Sequence, residues 1–276
     1  MNCFMFPGQP LSLASMPDDP AFVETARSCQ VATGFNPLVP ESAPQLTDSV
    51  KLQLSGTTMS LYRTDLLTLQ HGSPGIIAEH SMGIYPALAA CGSIDPATAV
   101  ELTCRIGVCL ASMGKGHTFA MGSVVGLTYN LLHSVAANNH VYIANYNTSR
   151  HFILAGDSDR IREAAAEAEA VGAFSTSVFP TDAPLHTPLV NAVASTLRDI
   201  VSDYTFRRPQ IPLMDHLEQR KLNASDIPCF LVEELCRPVF WEKTCRALKS
   251  EGVKKYFEAG AGSALTKFNR WIDSEL

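Results

Sequence analysis

The sequence predicts an α/β protein in which a small unit is inserted into a larger one. Two observations carry this reading. Across residues 75–90 a short apolar run, Gly75-Ile76-Ile77-Ala78, gives way to a turn, Glu79-His80-Ser81-Met82-Gly83, and then to a helical stretch at 85–90. Across residues 116–181 the pattern becomes strand, helix, strand, strand, helix, strand, the order of a ferredoxin-like unit. The 276 residues suffice for one large domain or a domain with an insert. The expected division is 1–115 with 182–276 as the main domain and 116–181 as the insert.

Each element has its own signal. Residues 3–6 are an apolar strand, stopped by Pro7-Gly8-Gln9-Pro10. A strand running into a Gly-containing loop at the start of an α/β chain often lines the active-site edge; a plain surface turn is the other reading. Residues 11–50 are rich in Pro, Ser and Asp, with one weak helix at 21–29. Residues 52–69 form a helix with Leu54, Leu61, Leu66 and Leu69 as its apolar positions. Asp95 caps and Pro96 starts a long helix to 113, with Val100, Cys104, Val108 and Ala111 on one face. In the insert, strands are expected at 119–127, 141–146, 151–154 and 173–179, and helices at 129–137 and 157–172. The chain then returns to helices at 189–201, 231–236, 238–251 and 264–272, with strands at 211–214 and 255–258.

Composition removes several function classes. Apolar residues are 46% and charged residues 17%, so a sizeable core is expected and wholesale disorder is not. The net charge of −6 argues against nucleic-acid binding driven by charge. No apolar run reaches the roughly 18 residues of a membrane span. The N-terminus lacks the basic and apolar regions of a signal peptide. The eight Cys are scattered without a C-x-x-C pair, which reads as reduced thiols in a cytoplasmic protein, with neither a disulfide frame nor a metal site.

Strand, Ser-bearing turn, helix is the context of a nucleophile elbow, which lifts the Ser hydroxyl from the sheet edge. It also places the next backbone N–H at a helix N-terminus, where it can stabilise an oxyanion. An ordinary βα turn with Ser as N-cap is the competing reading. Glu79 stands where the elbow usually has its first Gly, so a long side chain must find room where strand and helix pack closely. A nucleophilic Ser also needs a base within reach. Eight His are available. His80 adjoins Ser81, but neighbouring side chains diverge in an elbow. His117, His133, His140 and His151 fall in the insert, and His71 and His216 in expected loops. His186 lies at the domain junction between Pro184 and Pro188. The residues alone leave the choice of base open.

Six short motifs, in order, resemble the malonyl-CoA:acyl-carrier-protein transacylases and the related acyltransferase domains of polyketide synthases. Phe6-Pro7-Gly8-Gln9 matches F-P-G-Q. His80-Ser81-Met82-Gly83, then Tyr85, matches G-H-S-x-G-E-Y. Ile143-Ala144-Asn145-Tyr146-Asn147 matches I-A-N-x-N. Ala183-Pro184-Leu185-His186 matches the segment of the catalytic His. Arg237-Pro238-Val239-Phe240-Trp241 matches x-P-V-x-W, and Glu258-Ala259-Gly260-Ala261-Gly262 matches E-x-G-P-G. The resemblance runs nearly end to end. It implies an α/β-hydrolase-like large domain with a ferredoxin-like small one and a cleft between them. It implies Ser81 as nucleophile, His186 as base, and the backbone N–H groups of Gln9 and Met82 as oxyanion hole. The His would be oriented by a backbone carbonyl at the position of Glu234, commonly Gln in the family. Gln53, Ile84, Ile106, Leu185 and Asn147 would border the acyl group. No bound cofactor is implied; the substrates would be CoA or phosphopantetheine thioesters, and the partner an acyl-carrier protein.

The departures bear on the substrate. Malonyl-selective members carry an Arg in the helix after the elbow, whose guanidinium pairs with the free carboxylate; that position is Ile106 here. Arg105 lies about 100° away round the helix, and the alternative is that it reaches in. Ile84 replaces the acidic residue of G-E-Y, and Leu185 is apolar as well. These changes favour a non-carboxylated acyl group over malonyl, the family default. Residues 236–270 hold eight basic residues against three acidic ones. Lys243, Arg246, Lys249, Lys254, Lys255, Lys267 and Arg270 could steer an acidic carrier protein, or could be solvated helix faces. The resulting reading is an S-acyltransferase working through acyl-Ser81. A thioester hydrolase on the same fold, and a non-catalytic docking relative, are the alternatives.

Overall fold

The computed structural model describes residues 1–10 and 16–275. Along the chain run β1 (Asn2–Phe6), α1 (Pro20–Thr33), α2 (Asp48–His71), β2 (Ile76–Glu79), α3 (Ile84–Ala90), α4 (Pro96–Ala111), β3 (Phe119–Val125), α5 (Tyr129–Asn138), β4 (Tyr142–Thr148), β5 (His151–Asp157), α6 (Ser158–Ala170), β6 (Ser175–Thr181), α7 (Ala194–Ser202), β7 (Leu213–Met214), α8 (Ile227–Cys236), α9 (Trp241–Ser250), β8 (Lys255–Glu258) and α10 (Ala264–Ser274).

One sheet is parallel, in the order β7-β2-β1-β8. Parallel strands are covered on both faces and read as continuous apolar runs, which explains Cys3-Phe4-Met5-Phe6 and Ile76-Ile77-Ala78. Alternate side chains go to opposite layers. Phe4, Phe6 and Ile77 pack on the side of Leu88, Leu102, Leu197 and Leu231 from α3, α4, α7 and α8. Cys3, Met5, Ile76 and Ala78 pack against Trp241, Cys245, Leu248, Leu265 and Ile272 of α9 and α10. The sheet is thus the middle of three layers, and its strands end together near Phe6 and Glu79, which pair in register.

The second sheet is antiparallel, in the order β4-β5-β3-β6, and all its strands come from residues 119–181. Ala120, Val124, Phe152 and Leu154 point to α5 and α6, where Leu132, Val135, Ile161 and Ala164 complete a separate core. The two sheets are linked beside β4. Val239 donates its N–H to Ala144 (2.9 Å) and accepts the N–H of Tyr146 (2.8 Å). This bridging explains why α9 begins at Trp241 and not at 238: residues 238–240 are extended against β4.

Other boundaries differ for local reasons. α2 starts at Asp48 and not at 52, because the Thr47 hydroxyl caps the Val50 N–H. Residues 188–193 form a 3-10 turn before α7, led by Pro188 and capped by Thr187. By length and composition Pro96–Gly114 could cross a membrane, which the apolar-run criterion did not anticipate. In the fold it packs against α1, α2, α3 and α7.

Candidate active site

The site is built at the carboxyl ends of β1 and β2. After Glu79 the chain turns through His80–Gly83 into α3, and Ser81 holds φ of 58°. That left-handed conformation is uncommon for a residue with a Cβ and marks a strained turn. Gly83 makes the turn possible, since a Cβ there would collide with the Phe6 carbonyl oxygen. Gly8 lets the loop after β1 rest on the elbow: a Cβ there would lie 3.1 Å from His80 Nδ1 and 3.4 Å from Ser81 Cβ. Gln9 follows in that loop, donating to Ser49 Oγ at 3.3 Å.

His186 also has a positive φ, 60°. Its N–H is fixed on the Leu235 carbonyl at 2.8 Å. The ring bridges two elements: Nε2 is 2.6 Å from Ser81 Oγ, and Nδ1 donates to the Glu234 carbonyl at 2.7 Å. With the proton on Nδ1, Nε2 is the bare nitrogen that accepts the Ser81 hydroxyl. Burial, with His216 nearby, lowers the His186 pKa to about 3, so the ring is neutral at ordinary pH. A neutral imidazole on a serine hydroxyl is the arrangement of a nucleophile with its base. His80 points elsewhere, donating from Nε2 to Asn147 Oδ1 at 2.9 Å beside Trp241. Asn147 is therefore engaged in holding the elbow.

Glu79 finds its room inward. Its carboxylate accepts the N–H and the Nδ1–H of His216, at 3.1 and 2.8 Å. Glu234 lies in the same buried cluster; its Oε2 is 3.7 Å from His186 Nδ1. Burial raises the pKa of both carboxyls well above the usual range, and lowers that of His216 to about 3. One ligand-type atom each of His186, His216 and Glu234 lies within 4.8 Å of the others. Both His186 nitrogens are already engaged, so a metal there would have to break the contact with Ser81 or with the Glu234 carbonyl.

The expected pocket residues cluster around the elbow. Ile106, Ile84 and Met82 are buried in one apolar cluster, with Leu185 packed against it. Gln53 donates to Gln9 Oε1 at 3.2 Å. Arg105 does not reach in. It donates to Asp203 at 2.6 Å and to the Tyr204 hydroxyl at 3.2 Å, on the outer side of α4. Of the basic residues at 236–270, Arg246 pairs with Glu242 at 2.7 Å and Lys249 with Asp273. Lys243 lies over the Phe240 ring at 4.3 Å. Lys254, Lys255, Lys267 and Arg270 are exposed, and none has an ion pair among the described residues. Two of the seven proposed steering charges are thus offset by neighbouring acids.

A family model described as the acyl transferase domain matches residues 21–260. The chain belongs to the acyl transferase family. Over 99% of its length this acyl transferase is 29% identical to a malonyl CoA-acyl carrier protein transacylase of Escherichia coli, of which it covers 93%. Over 70% of its length it is 24% identical to a polyketide biosynthesis malonyl CoA-acyl carrier protein transacylase of Bacillus subtilis, covering 67% of that protein. Among solved structures it resembles the transacylase of Xanthomonas oryzae, with TM-score 0.89, 26% identity, and coverage of 100% and 92% of the two chains. That of Coxiella burnetii gives TM-score 0.88 at 25% identity, covering 99% and 91%. The sequence of this acyl transferase places His216 in a loop, and it does lie in the turn after β7; what it gives no sign of is that the ring is buried on Glu79, or that the buried Tyr85 hydroxyl has no hydrogen-bond partner among the described residues. Glu79 was the available signal: a carboxyl forced into the core must find N–H donors there.

Proposed function

We propose that the protein is an S-acyltransferase that carries a non-carboxylated acyl group on Ser81 and delivers it to an acyl-carrier protein. Ser81 Oγ attacks the thioester carbonyl while His186 Nε2 takes its proton. The C–S bond breaks and the thiol leaves with that proton. The thiol of a carrier's phosphopantetheine then attacks acyl-Ser81, again through His186, and Ser81 recovers its hydrogen. The N–H groups of Gln9 and Met82 hold the oxyanion in both halves. On this reading residues 1–115 and 182–276 are an α/β-hydrolase-like domain and 116–181 a ferredoxin-like one. No resident cofactor or metal takes part.

The contact of Ser81 Oγ with His186 Nε2 at 2.6 Å carries the mechanism. The choice of acyl group is supported by Ile106, buried among Met82 and Ile84, and by Arg105 turned outward onto Asp203. A malonyl carboxylate would enter this cleft without a cation, while an alkyl end would meet apolar side chains. Lys254, Lys255, Lys267 and Arg270 supply the positive surface for an acidic carrier.

The test is intact-mass analysis after incubation with equimolar malonyl-, acetyl- and longer acyl-CoA, followed by a phosphopantetheine thiol. The expected result is an apolar acyl adduct, formed ahead of malonyl and transferred to the thiol. Loss of the adduct to water at the same rate with and without thiol would instead support the thioester hydrolase.

A further inference from the structure

The loop that follows β1 is held by a helix outside the dyad. Ser49 and Gln53 lie four residues apart on α2, so their side chains share one face. Between them they grip both ends of the Gln9 amide. Gln9 Nε2 donates to Ser49 Oγ at 3.3 Å, and Gln9 Oε1 accepts from Gln53 Nε2 at 3.2 Å. Gln53 is buried and fits over Gly107 of α4, where a Cβ would come within 2.7 Å of its Oε1. Gly56 stands one turn further along the same face. A Cβ there would lie 2.8 Å from Pro10 Cδ and 2.9 Å from Met82 Cε. The face of α2 therefore meets both segments whose N–H groups the mechanism uses: the Gln9–Pro10 loop and, through the Met82 side chain, the elbow. The cap of the same helix reaches a third segment. Thr47 Oγ1 donates to Asp182 Oδ2 at 2.5 Å, four residues before His186.

These contacts matter because an oxyanion hole works by placement. Its donors must already stand at hydrogen-bond distance from the developing charge. Met82 is fixed by the turn that leads into α3. Gln9 has no such support from its own backbone, because residues 7–10 are irregular, and irregular segments are the more mobile ones. The two hydrogen bonds to its side chain tie that loop to a helix of 24 residues.

We infer that Ser49, Gln53 and Gly56 form a clamp on α2 that sets the position of the Gln9 N–H relative to that of Met82. They are positioning residues: they act on the reaction through those two N–H groups. The inference rests on the oxyanion hole assigned above, but not on the identity of the acyl group.

The test uses a fluorophosphonate with a stereogenic phosphorus, which labels an activated serine whatever the acyl preference. Ser81 Oγ bonds to phosphorus, the P–F bond breaks with fluoride keeping its electron pair, and His186 takes the hydroxyl proton. In-line displacement with the P=O oxygen in the hole suits one enantiomer better than the other. The ratio of their rates therefore reports the geometry of the hole, and intact mass gives both rates. Ser49→Ala is the informative variant, because it removes one anchor and leaves every backbone N–H in the chain. Removing an oxyanion donor outright costs a factor of about 10² to 10³, and loosening one should slow the favoured enantiomer by at least about tenfold. The ratio should narrow toward one, and Ser49→Thr, which keeps the hydroxyl, should restore both rate and ratio. Gln9→Ala should lose about as much, and Ser49→Ala should add little to it, because the two residues act as one unit. Gly56→Ala favours the helix by propensity yet pushes a methyl against Pro10 and Met82, so it should also narrow the ratio. Thermal unfolding checks that each variant folds; if Ser49→Ala does not, Gly56→Ala decides. A folded Ser49→Ala with the wild-type rate and ratio overturns the inference and leaves the proposed function standing. So does a wild type that labels equally with both enantiomers. A wild type that discriminates the enantiomers but takes no acyl group from any thioester overturns the proposed function and leaves the clamp standing.

Discussion

Replacing Ile106 by Arg should convert the acyl preference. Ile106 is 1% exposed, on α4 beside the elbow, within a cluster that includes Met82 and Ile84. In the wild type, two methylenes buried against this surface contribute about 1.6 kcal/mol, a little over tenfold. A carboxylate brought there unpaired loses several kcal/mol of hydration, so the combined preference for an alkyl end is about 100-fold or more. An Arg at 106 reverses both contributions, since its planar fork pairs with a carboxylate bidentately. The malonyl-to-acyl ratio should rise by about 100-fold. Without substrate the guanidinium sits unpaired in an apolar cluster, so Tm should fall by about 5 °C, at roughly 2 °C per kcal/mol for a chain of this size. The assay is competitive acylation by equimolar malonyl- and octanoyl-CoA, read by mass. Malonyl preference in the wild type, or an unchanged ratio in a folded Ile106→Arg, would refute the reasoning.

Three further outcomes are expected. His186→Ala should slow acylation by a factor on the order of 10² or more, measured by pre-steady-state mass analysis; a milder loss than that of His80→Ala would move the base to His80. The pH dependence follows from burial, which lowers the His186 pKa from 6.5 to about 3. The base is the neutral form, so it is lost only as pH falls through the lowered value. Acylation rates should therefore hold nearly constant from pH 7.5 to 5.5, where an unshifted histidine would lose about tenfold, and a midpoint near 6.5 would contradict the buried geometry. Gly83→Ala should be strongly destabilising in thermal unfolding, because its Cβ meets the Phe6 backbone and neither chain can yield.

Much of this site is legible in the sequence because it depends on local pattern. The apolar runs at 3–6 and 76–78 are short and flanked by Pro7 and Gly75, which suits strands covered on both faces. Ser81 between such a run and a helix can only sit on a turn. His186 required more, since nothing near it says that its ring meets a residue 105 positions earlier; the motif order supplied that. What stayed hidden is what depends on packing across the core. His216 is a turn residue as expected, but β7 before it is only two residues long and leaves almost no periodic signal that this turn is buried against Glu79. Asn147 read as part of the acyl pocket, whereas the link between β4 and Val239 brings it to His80. Arg105 and Ile106 are adjacent in sequence, and only the Asp203 partner tells which of them faces inward.

The most direct measurement is peptide mapping of the wild-type protein after incubation with its preferred acyl thioester, before and after addition of a carrier thiol. The acyl mass is predicted on the peptide bearing Ser81, and it should leave that peptide and appear on the thiol. An adduct on any of the eight cysteines, or full transfer by Ser81→Ala, would contradict the acyl-serine mechanism.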